Sequence, residues 1–157
     1  MQKLWHKNWK LNRVVETFET QGDLSLDQKL VKFDVLGSLA HAQGLHKIGL
    51  LSENEIKSLI HGLQEINTLN QKGQFLLQFG DEDVHTKIEN YLTDLLGDVG
   101  KKIHTGRSRN DQVLVATRLY TRKKLKQVSK NLINLQKVFL QMAKKHEFLI
   151  VGKKVRQ

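Results

Sequence analysis

Six apolar residues near the C-terminal end of the sequence repeat at the spacing of a coiled-coil seam. They step by 3, 4, 3, 4 and 3 residues and are Leu125, Val128, Leu132, Leu135, Phe139 and Met142. Such steps place side chains on one stripe of a helix, which we predict to run from Asn110 or Asp111 to about Glu147. At 1.5 Å per residue it would be on the order of 50 Å long. Because the shorter upstream segments cannot cover it, the seam predicts a bundle partner, either from the same protein or from another subunit.

The composition of the 157 residues excludes several kinds of site. Proline, which averages roughly 5% of residues in proteins, is absent, and so is cysteine. The lack of proline suits long uninterrupted helices. The lack of cysteine excludes disulfides and thiolate zinc sites, and the seven histidines form no HExxH-type ligand pair. We therefore expect no metal ion.

No segment has the pattern of a secretion signal or of a membrane span. The first 13 residues are basic and aromatic and contain no apolar h-region. No stretch approaches the roughly 18 consecutive apolar residues that a transmembrane helix needs. We therefore expect a cytoplasmic location and no membrane association.

Three helices are predicted upstream of the seam, which makes the fold class all-α. The first spans Leu24 to Ile48, with apolar residues at steps of three and four. The second begins after Ser52, whose pairing with Glu55 has the pattern of a capping box, and ends before Gly73. The third runs from about Asp81 to Leu96, where Gly97 follows.

Positive charge is concentrated in the C-terminal third of the chain. Residues 1–100 carry 10 Lys and Arg against 14 Asp and Glu, whereas residues 101–157 carry 16 against 2. A net charge of +14 over the last segment is consistent with binding a polyanion, a phosphate- or carboxylate-bearing small molecule, or an acidic partner. It is equally consistent with an ordinary solvated helix face.

The polar segment Gly97–Gln112, between two predicted helices, is the strongest candidate site. Its glycines allow a ligand to approach the backbone, Thr105 and Ser108 offer hydroxyls, and Arg107 and Arg109 offer guanidinium groups that match carboxylates. The segment leads into a helix N-terminus, which favours anions. Asn110 could bind a carboxylate or merely cap the helix. No Walker lysine follows a glycine-rich turn, so we do not expect a nucleotide P-loop.

Within this segment, His104 to Gln112 has the sequence HTGRSRNDQ, which resembles the signature of the argininosuccinate lyases. Further matches are Leu4-Trp5, DVLGSLAH at 34–41, GLLS at 49–52 and DEDVHT at 81–86. The resemblance extends from Leu4 to about Phe148. It implies the fumarase/aspartase superfamily, with an N-terminal helical domain at 1–110, the first long helix of a central bundle at 111–148 and a divergent tail at 149–157.

The resemblance also implies an activity and a set of functional residues. Its members cleave argininosuccinate to arginine and fumarate by elimination, in arginine biosynthesis, as homotetramers without a metal or organic cofactor. The residues expected to bind the substrate are Thr105, Arg107, Ser108, Arg109 and Asn110. Asp83 and His85 are expected to support catalysis beside them, and His104 to shape the loop.

Several parts of the family pattern are missing from this sequence. The GSSxMPxKxN loop with the base serine is absent, and so is the GYTHLQ motif with the acid-base histidine. Asp23 stands where many members carry a substrate-binding serine. We therefore expect a truncated lyase, about one third of a complete one. Since the family site combines segments of three subunits, we expect this chain to be inactive alone.

Two other functions remain as alternatives. One is a non-catalytic helical interaction module, or remnant, that docks on a complete homologue through the seam. The other is a nucleic-acid-binding domain, although no recognised DNA-binding motif is present and we expect no nucleic-acid partner. Its contacts would be Lys101, Lys102, Arg107, Arg109, Arg118, Arg122, Lys123, Lys124 and Lys126.

Overall fold

The computed structural model of the chain is all-α in the residues that it describes, which are Val14, 22–78 and 81–148. The helices are α1 (Asp23–Asp27), α2 (Val31–Lys47), α3 (Glu53–Gln71), α4 (Val84–Leu96), α5 (Asp98–Lys101) and α6 (Arg109–Lys145), with a 3₁₀ turn at Lys102–His104. Leu4, Trp5 and the predicted tail at 149–157 lie outside the described residues.

The predicted helix from Leu24 to Ile48 is interrupted, and this part of the prediction is wrong. Short-range bonds from Lys29 N to Leu26 O and from Leu30 N to Asp27 O close a turn between α1 and α2. At this turn the Gln28 amide binds the backbone of Phe75 and Leu77 in the connection after α3. These contacts stabilise the break because they satisfy backbone groups about 50 residues away.

The predicted start and end of α3 are confirmed. Ser52 Oγ accepts from Glu55 N at 3.4 Å, and the Glu55 carboxylate accepts from Ser52 N at 2.8 Å, so both halves of the capping box are present. After the C-terminus, Gly73 adopts φ +69°, a left-handed conformation that favours glycine.

Helix α4 begins three residues later than predicted, because Asp83 is its N-cap. The Asp83 carboxylate accepts from Thr86 N at 2.7 Å. Asp81 instead stays outside the helix, where its buried carboxylate accepts from Gln78 N and from Lys87. The predicted C-terminus is confirmed, since α4 ends at Leu96 and Gly97 follows with φ +62°.

The chain divides into two compact units, residues 1–120 and 121–157. In the first, apolar side chains of α2, α3 and α4 form one core whose members are almost inaccessible to solvent, as expected for helices with one apolar face. They include Val31, Leu59, Leu63, Ile66, Ile88 and Leu92.

The long helix predicted from the seam is confirmed as α6, a 37-residue element that continues into the second unit. In that unit every described residue is exposed, including the seam residues Leu125 and Leu132 at 64% and 56%. None of the described helices combines the length and the apolar character required to span a membrane.

Candidate functional site

The loop between α5 and α6 is held against α2 and α4 by its own polar side chains and backbone. His41 of α2 donates from Nε2 to Thr105 O at 2.8 Å. Burial lowers the pKa of His41, although the hydrogen bond to the Thr105 carbonyl opposes this shift. His104 Nδ1 lies 3.0 Å from a carboxylate oxygen of Glu89 in α4. The loop is therefore held in place by contacts to α2 and to α4, and the shaping role of His104 stays a prediction.

Arg107 turns inward from this loop. Its Nη2 donates to Ser38 Oγ at 3.3 Å and to Ile103 O at 3.0 Å. Its Nε is buried and has no hydrogen-bond partner among the residues that the structure describes. Burial lowers the pKa of the guanidinium while nearby Asp34 raises it, and a guanidinium remains charged at neutral pH. Arg107 thus places a positive charge beneath the loop.

Arg109 connects the first turn of α6 to the first turn of α4. It donates from Nη1 to Asp83 Oδ1 at 2.6 Å and from Nη2 to Thr86 Oγ1 at 2.8 Å. Asp83 is at the same time the N-cap of α4. The structure therefore brings together two predicted site residues, Asp83 and Arg109, that are 26 positions apart in sequence.

Ser108, and not Asn110, caps α6. Ser108 Oγ accepts from Asp111 N at 3.3 Å, and the Asp111 carboxylate accepts from Ser108 N at 2.8 Å. These bonds lower the pKa of Asp111. The capping alternative for Asn110 is therefore wrong. Its side chain is exposed and makes no hydrogen bond to any residue in the described part of the chain.

His85 and Asp34 form a buried pair behind the loop, with exposures of 3% and 2%. Nδ1 of His85 lies 2.9 Å from Asp34 Oδ1, but the angle does not meet hydrogen-bond geometry. Asp34 was not predicted as a site residue. An aspartate within an apolar helix stripe, between Phe33 and Val35, was the signal that could have identified it. As placed, His85 is buried and is not exposed to a ligand.

Lys102, at the beginning of the loop, forms an ion pair with Glu55 of α3. Its Nζ donates to Glu55 Oε1 at 2.5 Å, and the other oxygen of Glu55 belongs to the capping box with Ser52. The Lys102 ammonium and the Ser52 amide and hydroxyl lower the pKa of Glu55 to about 2. One carboxylate therefore stabilises both a helix start and the loop.

This pairing predicts an acid-dependent loss of stability. Because the pKa of Glu55 is below its ordinary value of 4.5, the pairing stabilises the fold fully above about pH 4.5, and this contribution is lost as the pH falls towards 2. We expect the thermal midpoint of Glu55→Gln to be lower than that of the wild type at pH 7 and to fall less between pH 4.5 and 2. Circular dichroism at a series of pH values measures this. Glu147→Gln, at an exposed glutamate, is the control, and equal acid dependence of Glu55→Gln and wild type would contradict the pairing.

The exposed part of the site is a cluster of hydrogen-bond donors. Thr105, Ser108 and Asn110 are exposed at the start of α6, and the Ser108 hydroxyl donates to the Asp111 carboxylate at 3.0 Å. The backbone N–H groups of the first helical residues, Arg109 and Asn110, have no partner within the helix, and the positive end of the helix dipole lies there. The arrangement can hold a carboxylate, with two arginines supporting it. The described residues contain no group of three or more His, Cys, Asp or Glu placed to hold a metal ion.

Comparison with known proteins relates this chain to one family. The lyase family profile matches residues 11–152. The argininosuccinate lyase of Phocaeicola vulgatus is 44% identical over 150 residues, which is 96% of this chain and 34% of that protein. The argininosuccinate lyase of Thermotoga neapolitana is 42% identical over 136 residues, or 87% of this chain and 34% of that protein. The chain spans about a third of the length of the curated relatives it matches.

Proposed function

This chain belongs to the lyase family of all-α enzymes with the fumarase/aspartase fold, and we propose that it supplies the N-terminal part of an argininosuccinate lyase. Such an enzyme cleaves argininosuccinate to arginine and fumarate, and we place it in arginine biosynthesis in the cytoplasm. The observation that carries the proposal is the loop from His104 to Gln112, whose exposed donors surround the start of α6.

The chemistry of the elimination explains why these donors are needed. Removing a proton next to a carboxylate gives an aci-carboxylate dianion, and donors already in place stabilise that charge better than reorienting water does. We assign Thr105 and Asn110, with the first amides of α6, to one carboxylate of the substrate, and Ser108 joins them once its hydroxyl turns from the Asp111 carboxylate. The positive charges of Arg107 and Arg109 act on the same carboxylate.

Arg109 can do this while it remains anchored. A guanidinium has five N–H donors. The bonds to Asp83 and Thr86 occupy one N–H of Nη1 and one N–H of Nη2. The remaining donors are available to a carboxylate at the loop. Asp83 fixes the orientation of Arg109, and His85 with Asp34 supports the start of α4. These are positioning roles, consistent with the burial of His85.

We assign the base serine and the acid-base histidine of the site to segments that this sequence does not contain. Residues 1–110 form the N-terminal helical domain, and 111–148 form the first long helix of a central bundle in a homotetramer. The exposed seam of α6 supports this assignment, because a contiguous apolar stripe of this kind favours association. One segment of a composite site does not turn over substrate, so we expect the 157-residue chain alone to be inactive.

A chimeric enzyme tests this proposal. The matching 150-residue segment of the Phocaeicola vulgatus enzyme is replaced by that of this chain, and fumarate release from argininosuccinate is measured. We expect kcat/KM of the chimera within about tenfold of the parent, since the site residues are supplied in the same arrangement, and no release by this chain alone. A chimera that assembles like the parent but does not cleave argininosuccinate would overturn the proposal.

The exposed seam also supports a second candidate, a non-catalytic module that docks on a complete homologue. The deciding observation is copurification. If this chain forms a stable complex with a longer lyase subunit and the chimera is inactive, the module is favoured over the enzyme segment.

A further inference from the structure

The connection from α3 to α4 and the outer side of α4 line a half-open cavity of about 230 Å³. It has apolar walls formed by Leu69 of α3, Phe75 and Leu76 of the connection, and Tyr91 of α4. The rings of Phe75 and Tyr91 pack edge to face, with centroids 5.8 Å apart. At 3.6 residues per turn, the α4 residues that line it lie on nearly the opposite side of the helix from His85 and Glu89. The cavity is therefore separate from the candidate site.

The backbone of the connection that forms one wall of the cavity is held by hydrogen bonds to the Gln28 side chain. The Gln28 side chain donates to Phe75 O at 2.9 Å and accepts from Leu77 N at 2.8 Å. Phe75 itself is buried, with an exposure of 4%. A cavity whose backbone is already held in place loses little conformational freedom when it is filled.

The lining contains one cation, Lys87, and one anion, Asp94, and two further carboxylates that contact lining residues make the surroundings net negative. Lys87, in its lining, lies 5.6 Å from the centre of the Phe75 ring and is neutralised by Asp81, 2.6 Å away. Asp94, also in the lining, is exposed and has no ion pair with any residue in the described part of the chain. The Tyr91 hydroxyl donates to Glu65 Oε1 at 2.8 Å, which places a second carboxylate beside the ring.

We propose that this cavity binds a small organic cation with a single ring or a short aliphatic body. The body packs against Leu69, Leu76 and the Tyr91 ring, and the cationic group lies on the Asp94 side. The volume is below the roughly 300–1,000 Å³ of pockets for drug-sized ligands, so the ligand is small. This site is independent of the lyase proposal, because none of its residues belongs to the loop before α6.

Ligand-observed NMR on the full chain tests the proposal, with benzylamine as the cationic probe and benzyl alcohol as its neutral counterpart. We expect saturable binding of benzylamine and weaker binding of benzyl alcohol. An exposed ion pair contributes at most modestly, so Asp94→Asn should weaken benzylamine binding by about two- to fivefold. Asp98→Asn, at an exposed aspartate paired with Lys101 outside the cavity, should leave it unchanged.

Leu76→Ser locates the bound probe. Leu76 is 51% exposed, so its replacement leaves the core intact while removing part of the apolar wall, and binding of both probes should weaken. Equal affinity for the two probes, equal effects of Asp94→Asn and Asp98→Asn, or no saturable binding of benzylamine would each overturn the proposal.

Discussion

Replacing Asp83 by alanine is expected to lower the free energy of unfolding by about 2–5 kcal/mol, because its carboxylate both caps α4 and binds Arg109. Loss of an N-cap costs about 0.5–2 kcal/mol, and Asp83 caps α4 through Thr86 N. A hydrogen bond to a charged group contributes about 1.5–3 kcal/mol, and Asp83 also accepts one from Arg109 at 2.6 Å. Urea denaturation measures the change.

Two further variants separate these tasks. Asp98→Ala is the matched control, since its carboxylate pairs with Lys101 but is 92% exposed, and we expect almost no change in its unfolding midpoint. In an Arg109→Met background, Asp83→Ala should cost only the cap. If Asp83→Ala and Asp98→Ala have the same effect, the connection between α4 and α6 is not as the structure places it.

Gly100→Ala is expected to destabilise the chain by about 3 kcal/mol, at the upper end of the usual cost of overpacking. A Cβ at this position would lie 2.3 Å from Leu92 O and 2.5 Å from Thr93 N. These are backbone atoms of α4 and cannot rotate away, so α5 must move. Because α5 leads directly into Lys102 and the loop, the displacement also reaches the candidate site.

Gly44→Ala is the control for this prediction. Gly44 lies within α2, and a Cβ there meets no atom within 4 Å. Alanine is a better helix former than glycine, so the same substitution should stabilise by about 0.5–1 kcal/mol. Urea midpoints for both variants give the comparison. A wild-type midpoint for Gly100→Ala would contradict the close approach of α5 to α4.

The parts of the fold that the sequence predicted are those set by local signals. The limits of α3 follow from Ser52, Glu55 and Gly73, all within the helix or next to it. The break between α1 and α2 could not be predicted in this way, since it is stabilised by bonds from Gln28 to a segment some 50 residues later. Apolar spacing continues across the break and gives no sign of it.

For the candidate site, too, local signals were predictable and long-range contacts were not. The position of the site was evident from the glycines, hydroxyls and arginines between two helices. The partners of the arginines were not, because Ser38, Asp83 and Thr86 come from other elements. Ser108 as the cap of α6 could have been predicted from its spacing to Asp111. Because Ser108 caps α6, Asn110 does not, and its side chain is exposed.

We propose that the loop before α6 binds a carboxylate of argininosuccinate. The most direct test is kcat/KM of the chimeric enzyme carrying Asn110→Ala, with Asn54→Ala, at an exposed asparagine of α3, as the matched control. Loss of a hydrogen bond to a charged group predicts a fall of about tenfold or more for Asn110→Ala and no change for Asn54→Ala. An Asn110→Ala chimera as active as the unmodified chimera would contradict the claim.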